Sequence, residues 1–297
     1  MHHQTSPIVL AGILAVVAPL RGGSLAQAQP AELLPTDDNF VRQSSPTICY
    51  GTAGALYVAA PGLPGGRADT VLRFDTTAAA QQFDAAFGVG AWTLNSAVLQ
   101  LGEVGTPFNP IFSQGVGEFE VRWLSTDAWV EGMGSPFNPT FGMGNQMTWN
   151  LLQTLLAVAA ESPLGTFSNS DPDITELQTY TLELMPPLVA DVRACDRVTL
   201  HLQAASATIG FVFHSGDYQA TDTTHPRLFL TAEAASAVPG DVNGDFDVDL
   251  LDHAALVAAL TGPGTALTSP CERADLDADD DVDLADTALL QNAFVEG

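Results

Sequence analysis

An acidic pattern written twice near the carboxyl end constrains this chain more than any other feature of its sequence. The first copy runs from Asp241 to Asp252 and the second from Asp275 to Asp286, an offset of 34 residues. Each copy places oxygen-bearing side chains at positions 1, 3, 5, 9 and 12, and position 7 offers a backbone carbonyl. This is the spacing of a twelve-residue calcium loop, in which a hard cation collects about six to eight oxygens. The predicted metal ligands are Asp241, Asn243, Asp245, Asp247, Asp249, Asp252, Asp275, Asp277, Asp279, Asp281, Asp283 and Asp286.

Each loop is followed by a segment with the pattern of a short amphipathic helix. Aligned on position 12, Leu256 corresponds to Leu290 and Leu260 to Phe294, so each copy carries an apolar i, i+4 pair. Because both the ligands and the helix pattern are repeated, we predict two loop–helix units packed together. The alternative is a solvated acidic tail, as most charge runs are. Because carboxylates crowded without a cation repel one another, we expect the tail to fold only when it binds calcium.

The tail resembles a dockerin, the duplicated loop–helix module of secreted polysaccharide-degrading assemblies, over about 57 residues. The segments GDVNGD (Gly240–Asp245) and ADLDADDDVDLAD (Ala274–Asp286) carry the resemblance. It implies two Ca²⁺ sites and a cohesin-like protein partner. In the dockerin family, the residues at loop positions 10 and 11 contact the cohesin. Those positions here are apolar and without hydroxyl groups: Leu250, Leu251, Leu284 and Ala285.

Position 6 of each loop departs from the dockerin pattern. It is normally glycine, because the turn there needs a permissive backbone. The first loop has Phe246 and the second has Asp280. Since Asp tolerates a positive φ better than Phe does, we expect the first loop to be the poorer calcium site. Position 12 is Asp rather than the bidentate Glu of sensor loops, which fits a dockerin better than a calmodulin-like switch.

Charge excludes two classes of partner. The net charge is −26, and the tail from Asp241 onward holds half of it, with fourteen acidic residues against Arg273. All nine basic residues are arginines scattered along the chain, so no basic patch exists to neutralise phosphates. The sequence therefore argues against binding of nucleic acid or of an anionic membrane.

The amino terminus has the pattern of a secretory signal peptide over residues 1–28. Ile8–Leu20 is an apolar run too short to span a bilayer, and Ala26-Gln27-Ala28 offers a cleavage site before Gln29. The alternative is a short buried helix. No other stretch reaches 18 apolar residues, so we expect a secreted or cell-surface protein without membrane insertion.

Three widely spaced cysteines, Cys49, Cys195 and Cys271, form no CxxC motif. In an oxidising compartment Cys49 and Cys195 could pair within one domain, leaving Cys271 alone. Buried free thiols are the alternative.

The region between signal and tail, residues 35–234, reads as short alternating segments divided by Gly, Pro, Asn and Asp. This pattern predicts an antiparallel β-sandwich. The segment Thr148–Glu161 does not alternate, because it is long and rich in helix formers. It predicts one short helix over an open end of the sandwich. Residues 235–240 form a linker to the calcium-binding domain, residues 241–297. The predicted strands are ALYVAA near Ala55, Asp69–Asp75, Ser96–Leu101, Glu118–Leu124, Tyr180–Leu184, Arg197–Gln203, Ile209–Ser215 and Arg227–Thr231.

The region 35–234 also resembles the secreted sandwich domain called DNRLRE, which is related to carbohydrate-binding module family 96. The motifs that carry this resemblance are ADTVLRFD, WTLNSAVLQL, DAWVEG followed by MTWN, GFVFHSGD and HPRLFL. The resemblance implies a jelly-roll fold and attachment to a polysaccharide. The predicted fold class is thus mainly β, a jelly-roll-like sandwich with one short helix, followed by a small α domain of two calcium loop–helix units.

Two similar aromatic loops, TPFNPIF and SPFNPTF, are candidates for ligand binding. If both lie at one end of the sandwich, Phe108, Phe112, Phe137 and Phe141 would form an apolar surface on which a sugar ring stacks, together with Trp92 or Trp129. The alternative is that these phenylalanines fill the sandwich. We expect Trp123 and Trp149 to be core residues.

Two functions from different classes remain open at this point. The first is a non-catalytic secreted protein, in which a polysaccharide- or surface-binding sandwich is delivered by a calcium-dependent docking tail. The second is a carbohydrate-active enzyme, a glycoside hydrolase or polysaccharide lyase that carries the same tail. Asp127 and Glu131 could serve as paired carboxylates, although they fit the end of a strand better. The sequence has no GxSxG or HExxH motif, and His201, His214 and His225 lie on different segments.

Overall fold

The structure is a computed structural model that describes residues 28–63, 65–104, 115–169, 177–219, 222–235, 238–244, 247–265, 273–277 and 279–296. Several residues named above lie outside these ranges: the signal segment up to residue 27, Phe108, Phe112, Asp245, Phe246 and Cys271.

The described residues form thirteen strands and five α-helices. The strands are β1 (Gln29–Leu33), β2 (Pro35–Arg42), β3 (Ile48–Cys49), β4 (Ala55–Ala59), β5 (Ala68–Asp75), β6 (Trp92–Gly102), β7 (Gly117–Leu124), β8 (Thr140–Phe141), β9 (Glu161–Asn169), β10 (Leu177–Leu182), β11 (Arg197–Ala204), β12 (Gly210–His214) and β13 (Arg227–Ala234). The helices are α1 (Thr77–Phe87), α2 (Trp149–Leu156), α3 (Pro186–Arg193), α4 (Leu250–Ala259) and α5 (Leu284–Glu296).

The body is a β-sandwich of two antiparallel sheets. The small sheet has the strand order β1-β13-β6-β10. The large sheet has the order β12-β4-β5-β11-β7-β9, and β2 pairs with β5 beside this path. A third pair, β3 with β8, lies apart from both sheets. The prediction of an antiparallel sandwich is therefore confirmed.

The main core fills the space between the two sheets. Strand alternation supplies it, as β11 shows: Val198, Leu200 and Leu202 are fully buried in this core. The small sheet contributes Leu99 and Leu101 from β6.

The outer face of the large sheet is covered as well. Val71 of β5 and Val41 of β2 pack there against Trp129, Trp149 and Leu152, and Trp149 and Leu152 belong to α2. Seven of the eight residues of β5 are consequently buried, as expected of a strand covered on both faces. This second layer brings the segment around Trp129 against β2.

The expectation of one short helix is wrong, because the described part of the body has three α-helices. The predicted helix Thr148–Glu161 is real but ends at Leu156, and Glu161 begins β9, which pairs with β7 along its whole length. Sheet pairing thus overrides the helix propensity of the intervening alanines. Helices α1 and α3 lie in segments where no helix was predicted.

Strand β1 extends the sandwich in front of residue 35. Its residues Gln29–Leu33 pair with β13, so this segment forms an edge strand of the small sheet. It begins at the residue that follows the predicted cleavage site.

The suggested disulfide between Cys49 and Cys195 is wrong. Cys49 is a buried free thiol that lies 3.0 Å from the carbonyl oxygen of Glu131, whereas Cys195 is disulfide-bonded.

Candidate metal centre

Position 12 of each acidic repeat organises its loop in the same way. In the first loop, Asp252 accepts N–H bonds from Asn243 at 3.0 Å and from Asp249 at 2.8 Å. In the second loop, Asp286 accepts N–H bonds from Asp277 at 3.3 Å and from Asp283 at 2.7 Å. Both position-12 carboxylates are fully buried. Each loop is thus folded around its last ligand.

The second loop brings its carboxylates together. Oxygens of Asp275, Asp277 and Asp286 lie within 4.8 Å of one another, and so do oxygens of Asp281, Asp283 and Asp286. Asp286 belongs to both groups, so the carboxylates of four other residues converge around it: Asp275, Asp277, Asp281 and Asp283. A set of hard oxygen donors at this spacing suits calcium. Asp279 at position 5 is exposed, and its carboxylate accepts the N–H of Asp281 at 3.3 Å.

Position 6 of the second loop adopts the backbone conformation that the repeat requires. Asp280 has φ = 70°, one of two positive-φ residues other than glycine in the described chain. This region favours glycine, and Asp is among the residues that tolerate it. Asp280 therefore makes the turn that position 6 requires. Its counterpart in the first loop, Phe246, lies outside the described residues.

The first loop differs because a body residue reaches its first ligand. Asp241 Oδ1 accepts the N–H of Gly244 at 2.7 Å, and Asp241 Oδ2 lies 3.5 Å from Nη2 of Arg193 at the end of α3. Both side chains are almost completely buried. Asn243 is half-buried, Asp247 is exposed and Asp249 caps the N-terminus of α4.

The tail has a small apolar core of its own. Leu256 of α4 and Leu290 of α5 are fully buried in it with Val282, as the alignment of the two repeats predicts. Leu260 and Phe294 are 43% and 37% exposed, so the second member of each apolar pair is not buried in this core.

Loop positions 10 and 11 face the solvent in both repeats. Leu250, Leu251 and Leu284 are 79%, 61% and 80% exposed, and Ala285 is exposed too. They begin α4 and α5. At such exposure these large apolar side chains are accessible to another molecule.

Two arginines join the tail to the body, and sequence reasoning missed both. Arg273 Nε donates to the carbonyl of Arg193 at 3.0 Å. Its guanidinium lies 5.7 Å from the ring centroid of Trp92, and that of Arg193 lies 5.9 Å from the same ring. No local spacing in the sequence signals contacts between such distant residues.

The candidate aromatic platform is only partly described. Phe137 is fully exposed and Phe141 is 74% exposed, so neither fills the sandwich. Trp92 and Trp129 are fully buried and do not belong to a surface platform. Trp123 and Trp149 are buried, as expected.

The remaining candidates lie in separate surroundings. The carboxylate of Asp127 accepts the hydroxyl of Thr199 at 2.6 Å, whereas Glu131 lines a small cavity with other acidic residues. His201 bridges two carboxylates on the large sheet. His214 packs against the ring of Tyr218, and His225 lies 2.8 Å from that residue's carbonyl oxygen.

The geometry of the tail agrees with a family match. Residues 239–295 match the dockerin type I domain. Dockerin domains bind calcium and dock onto cohesins, so the match supports calcium binding and a protein partner for this segment. It covers about a fifth of the chain.

A comparison of the whole chain with curated proteins finds no match. One of the solved structures that match is titled "Structure of the Macrobrachium rosenbergii Nodavirus", with 10% identity, 80% of this chain covered and a TM-score of 0.22. This chain spans 62% of the length of that one.

The helices in the described part of the chain were also considered as membrane spans. Not one of them combines the length and the apolar character that crossing a bilayer requires.

Proposed function

We propose that this chain is an exported, non-catalytic docking protein. Its dockerin domain, with calcium at two loops, attaches it to a cohesin-like partner and thereby displays the β-sandwich on a polysaccharide-degrading or cell-surface assembly. The observation that carries the proposal is the dockerin match together with the convergence of four carboxylates around that of Asp286.

The exposed leucines at positions 10 and 11 support a protein partner. In dockerins these positions contact the cohesin, and here Leu250, Leu251 and Leu284 present apolar area in place of hydroxyl groups. Burial of such side chains contributes about 25 cal/mol per Å² of apolar surface. A partner for this surface therefore offers a complementary apolar patch.

For the sandwich we propose polysaccharide or surface attachment. Exposed Phe137 and Phe141 supply faces on which a sugar ring stacks. The proposed organisation has a signal peptide at residues 1–28, the sandwich body at 35–234, a linker at 235–240 and the dockerin domain at 241–297. The start of β1 at Gln29 supports cleavage in front of that residue.

Binding to a panel of immobilised cohesins tests the docking function. We expect retention in calcium and release by EDTA. The double variant Leu250→Arg with Leu284→Arg should bind at least about tenfold more weakly, because it places charge at the centre of an apolar contact. Val158→Arg is the matched control, since Val158 is a body residue of 83% exposure. A folded, calcium-bound chain that binds no cohesin would contradict the proposal.

A polysaccharide array tests the sandwich separately. We expect Phe137→Ala with Phe141→Ala to reduce retention, because stacking surface is lost. Met143→Ala should leave retention unchanged, since Met143 is a neighbouring apolar residue of 77% exposure. Depolymerisation of a retained glycan would favour the alternative, a carbohydrate-active enzyme.

A further inference from the structure

A cavity in the body gathers acidic side chains that are far apart in the sequence. It lies where the start of β2, the segment after β7 and the turn after β12 meet, and its volume is about 150 Å³. Four carboxylates line it: Asp37, Asp38, Glu131 and Asp217.

Asp38 is the most deeply buried of the four, with 3% of its surface exposed. Its Oδ2 accepts the N–H of Gly216 at 2.6 Å. Its Oδ1 is also buried and has no hydrogen-bond partner among the described residues. A buried carboxylate oxygen without a partner is costly, so we expect a proton, a water molecule or an ion to contact it.

The cationic side chain at this cavity, Arg73, contacts Asp37 and not the other three carboxylates. Arg73 pairs with Asp37, and it also donates to the carbonyl oxygens of Asp127 at 2.9 Å and Trp129 at 2.6 Å. No salt bridge among the described residues reaches Asp38, Glu131 or Asp217. Three carboxylates therefore share a small cavity without a cationic side chain of their own.

The electrostatic cost of this arrangement appears in the pKa values. Burial, followed by the charges of Asp38 and Asp217, raises the pKa of Glu131 to about 9. Burial raises the pKa of Asp38 to about 7. Either protons or a cation must offset this repulsion. The donors are all oxygen atoms, the set preferred by a hard divalent ion.

We propose that this cavity binds a calcium ion through Asp38 Oδ1 and the carboxylates of Glu131 and Asp217. Unlike the second tail loop, the described cavity does not bring three carboxylate oxygens within 4.8 Å of one another. Water molecules therefore complete the coordination shell, or Glu131 moves toward Asp38 when the ion binds. The ion joins β2, the segment after β7 and the turn after β12. This site is independent of the docking function.

Calcium binding to the full chain tests the proposal. The cavity variant Asp38→Asn with Glu131→Gln keeps the shape of both side chains and removes their charge. The control Glu118→Gln with Asp196→Asn removes the same charge at two exposed positions. Stoichiometry is measured by calorimetry, and body unfolding by fluorescence, because all four tryptophans lie in the body.

We expect the cavity variant to bind about one calcium ion fewer per chain than the wild type and the control. Calcium should raise the midpoint of body unfolding in the wild type and in the control but not in the cavity variant. In EDTA the cavity variant should be at least as stable as the wild type, because repulsion is removed.

Three results would overturn the proposal. The first is equal stoichiometry in all three proteins. The second is equal destabilisation of the cavity variant in EDTA and in calcium, which would show that the carboxylates act through a shared proton. The third is glycan cleavage by the wild type that the cavity variant loses while calcium binding is unchanged, which would assign the cavity to catalysis.

Discussion

His201 is fully buried on the outer face of the large sheet, and two carboxylates face its ring. Nε2 lies 3.3 Å from Asp69 Oδ2, and Nδ1 lies 3.0 Å from Glu161 Oε1. Arg67 and Arg122 pair with the same carboxylates. Burial lowers the pKa of His201, but its hydrogen bonds and charge interactions with Asp69 and Glu161 outweigh burial and raise it. The fold therefore favours the protonated ring.

We predict that His201→Gln destabilises the body most at low pH. Since the folded pKa lies above the unfolded value, the proton stabilises the fold fully below the unfolded pKa of about 6.5. This contribution is lost as the pH rises through the raised pKa. Removing one member of a buried charge network should cost about 3 kcal/mol at low pH. Urea unfolding followed by tryptophan fluorescence between about pH 5 and pH 9 measures the difference.

His225→Gln serves as the control, because that ring lies against a backbone carbonyl oxygen. A destabilisation by His201→Gln that is the same at every pH would show that packing, and not the proton, accounts for the role of His201.

At the scale of elements, α2 depends on a cap that the sequence makes recognisable. Thr148 has an extended backbone, and its hydroxyl accepts the N–H of Leu151 at 3.2 Å. We predict that Thr148→Ala lowers the free energy of unfolding by about 1 kcal/mol, because a helix N–H loses its partner. Thr154→Ala in the same helix is the control, since its exposed hydroxyl donates to the Asn150 carbonyl. Equal effects of the two variants in urea unfolding would contradict a capping role.

The strands could be predicted because each carries its own alternation. All eight predicted strands are present, and β5 and β11 lie in the middle of the large sheet. Helix α1 was missed although its sequence TAAAQQFDAAF is rich in helix formers. Strand β9 was missed because its first residue, Glu161, was assigned to a helix, whereas the sheet pairs it with Leu124. Such pairing between distant segments leaves no local signal.

The same distinction separates the two tail loops from the acidic cavity in the body. The ligands of a tail loop lie within twelve residues, so their spacing alone predicts that they converge. Asp38, Glu131 and Asp217 come from three distant segments, and only the sandwich brings them together. The sequence offered Asp127 as a paired carboxylate for Glu131, but in the structure Asp127 contacts Thr199 instead.

At the scale of the whole molecule, body and tail differ in what stabilises them. The body has an extensive apolar core between its sheets, whereas the described part of the tail has five fully or almost fully buried apolar residues under two acidic loops. We predict that EDTA unfolds the tail and leaves the body folded. Circular dichroism should lose the signal of α4 and α5, which span 10 and 13 residues, because the unneutralised loops repel.

Most of the tryptophan emission should stay at its folded-state wavelength in EDTA, since every tryptophan is buried in the body, although Trp92 loses its contact with Arg273 of the tail. EDTA saturated with calcium is the control. Helicity that is unchanged by EDTA would contradict a calcium-dependent tail.

The contact between Arg193 and Asp241 connects the body to the first loop. A guanidinium 3.5 Å from a ligand oxygen repels a calcium ion bound at the same carboxylate. We predict that Arg193→Gln raises the calcium affinity of the first loop about five- to tenfold, because a buried positive charge beside the ion is removed. The second loop, whose described ligands converge on Asp286, should keep its affinity. Calorimetric titration of the full chain resolves the two loops.

Arg197→Gln is the matched control, because it removes the same charge at an exposed position four residues away. If Arg193→Gln lowered the affinity of the first loop, the arginine would orient Asp241 for calcium rather than compete with it. The sign of the change therefore decides how the sandwich acts on the docking domain: a competing arginine makes body contact and first-loop calcium alternatives, whereas an orienting one makes them cooperative.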